Sequence, residues 1–369
     1  MVLAFIAFDA YASLVMAATP YYAITDAGSG GSRVYLYRVD LSVPADPKIT
    51  QIPLTGNKTK PGISTQLGSC DTYIAPLFTA LNNYLNTNSI PQSDVTFSLQ
   101  ATAGMRVISP VEQNKCYGAV KTQLSSMLPD VKVGPIQTIQ GRYEGAFQWM
   151  AVNYLKGTLT PNAKTVGVME VGGGSYQMTF QSPGTGTLDF ITVPFGGQTY
   201  GLFSRSYTGL GGNFSREDAT DDPNAFQVGF PLASGAIGTG KYMTGKLSAR
   251  KSIRAKPVSI PAQARKPDIS SFVGVGLFWN VAQSLGLNSA VSPSTIDAAA
   301  KVQALVPYDT NTTNPYAFSE IYSAQLTSEI IRTWFAEHSM LQVEDTINGS
   351  EITWTLGASA FLAQGGILP

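Results

Sequence analysis

The stretch YYAITDAGSGGSRVYLYRV, from Tyr21 to Val39, decides the fold, because TVGVMEVGGGSYQMTF, from Thr165 to Phe180, repeats its plan. Each runs along an apolar strand to an acidic residue, through a glycine-rich turn and out along a second strand. The acids, Asp26 and Glu170, stand 144 residues apart in a chain of 369. A strand–turn–strand unit that recurs at about half the chain length predicts two related lobes. Each offers one glycine-rich hairpin to a shared cleft.

Between the hairpins TFSLQ (Thr96 to Gln100) reads as a strand running into ATAGMR. Phe147, Met150, Tyr154 and Leu155 give Glu144 to Lys156 the spacing of an amphipathic helix. Strand and helix alternate, which implies an α/β fold. Ser319 to Glu337 reads as a long helix, and Thr353 to Phe361 as a strand edge or short helix closing the chain.

Composition removes whole mechanisms. Lys plus Arg and Asp plus Glu are 24 each, and charged residues are 13% of the chain, against about 25% in an average soluble domain. Nucleic-acid binding by bulk charge is therefore not expected. One histidine, His338, rules out any site needing two imidazoles, and two cysteines rule out a four-thiolate metal site. No G-x-S-x-G elbow accompanies His338, so acid–base chemistry falls to the carboxylates.

Cys70 and Cys116 form either one disulfide or two buried free thiols. Residues 1–18 read as a degenerate or truncated signal peptide, apolar but interrupted by Asp9 and ending in Val15-Met16-Ala17. They suggest a secreted or periplasmic protein. No later stretch approaches the ~18 uninterrupted apolar residues of a membrane span, and a monomer is expected. Residues 233–267 form a basic, loop-rich insertion carrying Lys241, Lys246, Arg250, Lys251, Arg254, Lys256, Arg265 and Lys266 with no acid among them. Its reading here is a solvated face. Sequons stand at Asn57, Asn213, Asn311 and Asn348, and GAIGTGKY at Gly235 fails as a P-loop because Tyr242 replaces the Ser or Thr.

Glycine-rich turns let consecutive backbone amides converge on an anion, since no Cβ blocks close approach. Gly28 to Gly31 and Gly172 to Gly174 meet that need. Asp26 and Glu170, each leading a turn, suit Mg²⁺ or Ca²⁺, which take oxygen ligands and keep waters when phosphate completes the shell. Hydrolysis of a phosphoanhydride also needs a base for an in-line water. Glu144, at the head of a helix in GRYEGAFQW, is the candidate, and Ser175 and Gln177 are placed to hydrogen-bond the same water.

In order and spacing, DAGSGGSR (26–33), TAGMR (102–106), GRYEGAFQW (141–149), EVGGGSYQMTF (170–180) and WTLGA (354–358) resemble the five apyrase conserved regions. PGIST (61–65) and SFVGVGLFWN (271–280) are weaker matches. The resemblance to nucleoside triphosphate diphosphohydrolases implies an actin-like fold of two RNase-H-like lobes, mixed sheets flanked by helices, with the site in the inter-lobe cleft. Lobe I is expected over 19–141 and 338–369, and lobe II over 142–337. The implied activity is divalent-metal-dependent removal of terminal phosphates from nucleoside tri- and diphosphates.

By motif position Glu144 corresponds to the catalytic base, Ser175 and Gln177 to its helpers, and Asp26 and Glu170 to holders of metal-bound waters. Gly28, Ser29, Gly30, Gly31, Ser32, Arg33, Gly172, Gly173 and Gly174 fall in the phosphate-binding turns, and Thr102, Ala103, Gly104 and Arg106 near metal and phosphates. Asn280, Tyr316 and Tyr322 are expected at an aromatic base pocket in lobe II. The sequence departs from the family pattern at Gly30, a serine there, at Ser32, a threonine there, and at Glu170, an aspartate there. Two rival readings are an exopolyphosphatase or guanosine pentaphosphate phosphatase, and a non-hydrolysing nucleotide sensor.

Overall fold

Strand β2 (Ser32–Asp40) sends Val34 and Leu36 into one buried cluster and Tyr35, Tyr37 and Val39 into another. Period-two alternation with both sets apolar is what a strand between two apolar layers requires. The computed structural model describes residues 20–369 except 183, 185–187, 218, 257, 260–263, 265 and 310–320. The expected signal segment at 1–18 lies outside the described residues.

The first sheet runs β3 (Lys48–Ile52), β2, β1 (Tyr21–Ala27), β5 (Val95–Ala101) and β6 (Lys132–Thr138), and the two-residue β4 (Lys58–Thr59) also pairs with β2. The second runs β9 (Phe190–Phe195), β10 (Gln198–Thr208), β8 (Ser175–Gln181), β7 (Gly167–Val171), β11 (Phe272–Gly276), β13 (Leu341–Val343) and β12 (Ala290–Val291). In β3-β2-β1-β5-β6 the first three strands are antiparallel and the last three parallel. The path β10-β8-β7-β11-β13 has the same directions in the same order. The two halves are one topology built twice.

Register makes the correspondence residue by residue. Asp26 pairs with Arg33 and Glu170 with Gln177. Each hairpin closes two residues after its acid, Gly28 N–H donating to Gly31 O (2.9 Å) and Gly172 N–H to Ser175 O (3.0 Å).

Helices α1 (Cys70–Thr87) and α3 (Pro110–Met127) cover the outer face of the first sheet, with the short α2 (Ala103–Arg106) after β5. Cys70, Tyr73, Ile74, Leu77, Phe78, Leu81 and Leu85 give α1 its buried stripe. The Cys70–Cys116 disulfide ties α1 to α3, which settles the pairing in favour of the bond. It closes a loop of 46 residues, so the Cys70→Ser/Cys116→Ser variant is expected to lose about 2–4 kcal/mol of unfolding free energy. Denaturant titration of the two proteins checks this; an unchanged midpoint contradicts it.

Between the sheets lie α4 (Gly141–Leu155) and α10 (Trp354–Ala363), packed on each other in a cluster that takes Ile24, Tyr35 and Tyr37 from the first sheet and Val168, Val273 and Val275 from the second. Covered on all sides, α4 is buried continuously from Glu144 to Asn153. The outer face of the second sheet carries α6 (Tyr242–Arg254), α7 (Leu277–Ser284), α8 (Pro293–Ala304) and α9 (Tyr322–Trp334), while the short α5 (Gly212–Glu217) follows β10.

Two expectations are corrected here and one open alternative is decided. Leu341–Val343, assigned with 338–369 to the first lobe, pairs within the second sheet. The segment from Thr353 is the helix α10, which touches both halves. The basic 233–267 insertion is not all solvated loop, because it holds α6, whose Lys246 is 1% exposed and pairs with Asp297 (2.6 Å) and Glu329 (2.8 Å). Arg250 also pairs with Glu329 (2.7 Å), and Arg332 joins Asp297, Glu329 and Glu337. The acids that neutralise these cations lie on α8, on α9 and just beyond it, far along the sequence.

Candidate active site

The carboxylates that lead the two hairpins face one cavity of about 390 Å³, lined from both halves of the molecule by Asp26, Gly28, Ser29, Gly30, Thr102, Ala103, Glu144, Glu170, Gly172, Gly173, Gly174 and Ser175. Turn one and turn two nearly touch: a Cβ on Gly173 would meet Ser29 Oγ at 2.5 Å, so any larger residue there would push the Ser29 side chain aside. Gly104, on α2, plays the same part from below, a Cβ there meeting Ser29 Cα at 3.1 Å. Among the described residues, no hydrogen bond uses the N–H groups of Ser29, Gly30, Gly173 or Gly174. They are donors available to an anion.

Glu144 opens α4, where its helix position and burial aim it into the cleft. Its Oε2 accepts from Arg106 (2.5 Å) and from Gln177 Nε2 (3.0 Å). Gln177 Nε2 also reaches Ser175 Oγ (2.6 Å) and Ser206 Oγ (3.2 Å). The expected trio of Glu144, Ser175 and Gln177 is thus one hydrogen-bonded group. Both bonds to Glu144 land on Oε2, which leaves Oε1 for a further partner.

Asp26 and Glu170 each keep some surface in the cleft, while Asp26 Oδ1 and Glu170 Oε2 are sealed from solvent without a hydrogen-bond partner. Burial, reinforced by the Glu144 carboxylate and opposed by Arg33, the Trp354 indole and Arg106, pushes Asp26 up to about 7. Burial, then Glu144 and Asp26, hold Glu170 well above the usual carboxylate range. Crowded, desolvated carboxylates in a cleft mark a functional site. Among the described residues no group of three or more side chains suited to a metal occurs, so a cation here would complete its shell with water and phosphate. The orphaned hard oxygens of Asp26 and Glu170 fit Mg²⁺ or Ca²⁺ in that role.

Four residues expected at the phosphates point elsewhere, and a fifth, Arg106, reaches the site through Glu144 and Ser175 Oγ (3.5 Å). Arg33 donates to Glu351 (2.7 Å) and to Tyr35 Oη (2.8 Å). Arg106 is taken up by Glu144 and the Ile139 carbonyl (3.0 Å). Ser32 is buried and accepts from Tyr73 Oη (3.1 Å), while Gly31 packs against Thr59 and Gly104 against Ser29. None of the five lines the cavity. Nor do Asn280, half-buried on α7, and Tyr322, fully buried in the second-lobe core; Tyr316 lies outside the described residues.

Residues not named among the expected site residues also line the cavity: Tyr35, Gln148, Asn213, Thr353 and Trp354. Gln148 stands four residues after Glu144 on α4, the spacing that puts side chains on one helix face, and this signal was available. Asn213 read only as a sequon, yet its amide sits beside Gly30 and Gly173, brought there by Asn213 N–H donating to Gly173 O (2.8 Å).

The model of the GDA1/CD39 (nucleoside phosphatase) family matches residues 15–222. The chain belongs to the GDA1/CD39 nucleoside phosphatase family. It is 30% identical over 250 residues to probable apyrase 2 of Oryza sativa subsp. japonica, covering 64% of this chain and 53% of that one. Guanosine-diphosphatase of Saccharomyces cerevisiae is 27% identical over 243 residues, covering 61% and 43%. Across these matches the chain spans about half the length of the relatives. Ectonucleoside triphosphate diphosphohydrolase 6 of Rattus norvegicus aligns over 378 residues at 25% identity, covering 92% and 80%.

Among solved structures, nucleoside triphosphate hydrolase from Neospora caninum superposes with a TM-score of 0.68 at 14% identity, covering 92% of this chain and 91% of that one. A Ppx/GppA family member from Aquifex aeolicus gives 0.53 at 14% identity, covering 94% and 98%. This likeness shows the fold, the two-lobed α/β actin-like arrangement expected for the family.

Proposed function

We propose that this family member hydrolyses nucleoside tri- and diphosphates to monophosphates and phosphate with the help of a divalent cation. One observation carries the reading: Asp26, Glu144, Glu170 and both glycine turns, drawn from opposite halves, line a single cavity. The free amides of the two turns hold the terminal phosphoryl group from either side. Ser175 Oγ and Gln177 orient a water, and Glu144 Oε1 takes its proton as the water oxygen bonds to phosphorus in line with the departing anhydride oxygen. Arg106 fixes Glu144 rather than the substrate. When bound at Asp26 and Glu170, Mg²⁺ or Ca²⁺ supplies charge neutralisation of the phosphate oxygens.

Phosphate release from ATP, ADP, GTP, UDP and long polyphosphate tests the substrate class. We expect release from the nucleotides, its loss in EDTA and its return with Ca²⁺ or Mg²⁺. Undiminished turnover in chelator overturns the metal requirement, and a preference for polyphosphate overturns the substrate assignment in favour of an exopolyphosphatase. A disulfide persists in oxidising surroundings, which supports a secreted or periplasmic location. No described helix is long and apolar enough to cross a membrane.

A further inference from the structure

On the outer side of the second half, the surface is neither polar nor neutral. Helix α6 turns Met243 (49% exposed) and Leu247 (60%) outward, and the end of α8 adds Val302 (69%), Leu305 (66%) and the following Val306 (45%). A shallow groove lined by Lys241, Met243, Lys301 and Leu305 joins the two helices. Met243 and Leu247 are one turn apart on α6, and Met243 meets Leu305 in the groove that joins α6 to the end of α8, so exposed aliphatic side chains from both elements flank it. A cluster of exposed large apolar groups on a folded protein marks an interaction surface.

The charge around this patch is mainly positive, although Asp222 sits against α6 and accepts from Ser248 Oγ (2.7 Å). Lys241, Lys251, Arg254 and Lys301 are exposed, and no acid occurs between Asp222 and Asp268 in the sequence. Asp297, the acid of α8, is buried and spent on Lys246 and Arg332. The whole chain is formally neutral, so the excess on this face is a local feature. Met243, Leu247, Lys251 and Arg254 follow one stripe of α6 about 16 Å long, apolar at its start and basic at its end.

We propose that this face docks on an anionic lipid surface, the aliphatic side chains entering the headgroup boundary and the lysines and arginine meeting lipid phosphates and carboxylates. Long cationic side chains suit that depth, since their stems lie in apolar surroundings while the charge reaches the headgroups. A second copy of the chain using the same face would oppose cation to cation. A protein partner calls for aromatic anchors at the centre of the patch, and the five exposed apolar residues are all aliphatic.

The test is flotation of the full chain with vesicles of phosphatidylcholine alone or with about 30 mol% phosphatidylserine. We expect partitioning at least about tenfold greater on the phosphatidylserine vesicles in about 0.1 M salt, weakening in about 0.5 M salt. The Met243→Ser/Leu247→Ser/Leu305→Ser variant and the Lys241→Glu/Lys251→Glu/Lys301→Glu variant should each lose about tenfold in partitioning, with phosphate release in solution unchanged. Equal partitioning on both vesicles, or binding that neither variant weakens, overturns the proposal. So does dimerisation in sedimentation velocity that the serine variant abolishes, which assigns the face to a second copy. Leu247→Ser alone keeps the test decisive if the triple variant unfolds. Vesicle binding is read without turnover, so its failure leaves the hydrolase reading standing.

Discussion

Glu144→Gln is expected to lower kcat by about 10²–10⁴-fold, the range of a lost general base, while nucleotide affinity stays nearly intact. Glutamine has the shape of glutamate, so α4 keeps its packing between the sheets and the glycine turns keep their approach. What goes is the proton acceptor beside Ser175 and Gln177. Arg106, 13% exposed, loses its ionic partner, so the variant is also expected to be less stable, because breaking a buried pair leaves a charge uncompensated. Single-turnover phosphate release reads the first effect, and calorimetry with a non-hydrolysable nucleotide reads binding. Near-normal hydrolysis removes Glu144 from its role.

Asp26→Asn should do something less usual: stop turnover yet stabilise the metal-free protein at neutral pH. Burial and the neighbouring Glu144 lift the Asp26 carboxyl from 3.8 to about 7. Between these two values the folded chain holds a proton that the unfolded chain has lost, so stability falls as pH rises through that window and levels off above it. The shift corresponds to at most about 4 kcal/mol, reduced by the water that reaches the cleft. Asparagine carries no charge to desolvate. In EDTA at pH about 8 the variant should therefore melt above the parent, and near pH 4 the two should converge. Glu170→Gln should move in the same direction, since its carboxyl is also raised. A variant that melts below the parent at pH about 8 contradicts this electrostatic reading. The strain it removes is what makes the pair ready for a cation.

The hairpins were legible because their signal is local: an acid, glycines and two apolar runs within twenty residues specify the turn and the strand directions. The helix of Glu144 was legible from its apolar spacing. What the sequence concealed was partnership at long range. Arg33 and Arg106 sit in motifs that suggest phosphate contacts, but their guanidinium groups are claimed by Glu351 and Glu144, 318 and 38 residues away. Lys246 looks like one of a run of solvated cations until Asp297 and Glu329 fold over it. Tyr322 is an aromatic in the expected half, yet it is consumed by the core. Asn213 reaches the cleft only because the end of β10 folds back on the second turn, a placement that no pattern around the asparagine announces. Local chemistry reads from a string; the assignment of charges to partners waits for three dimensions.

The matched registers of the two hairpins have a consequence for how such a catalyst arises. Arg33 and Gln177 occupy the same place in twin units, but one is held by Tyr35 and Glu351 and the other by Glu144 and Ser175. A doubled scaffold lets one position carry different side chains in its two copies, so symmetry of backbone here leaves room for asymmetry of partners.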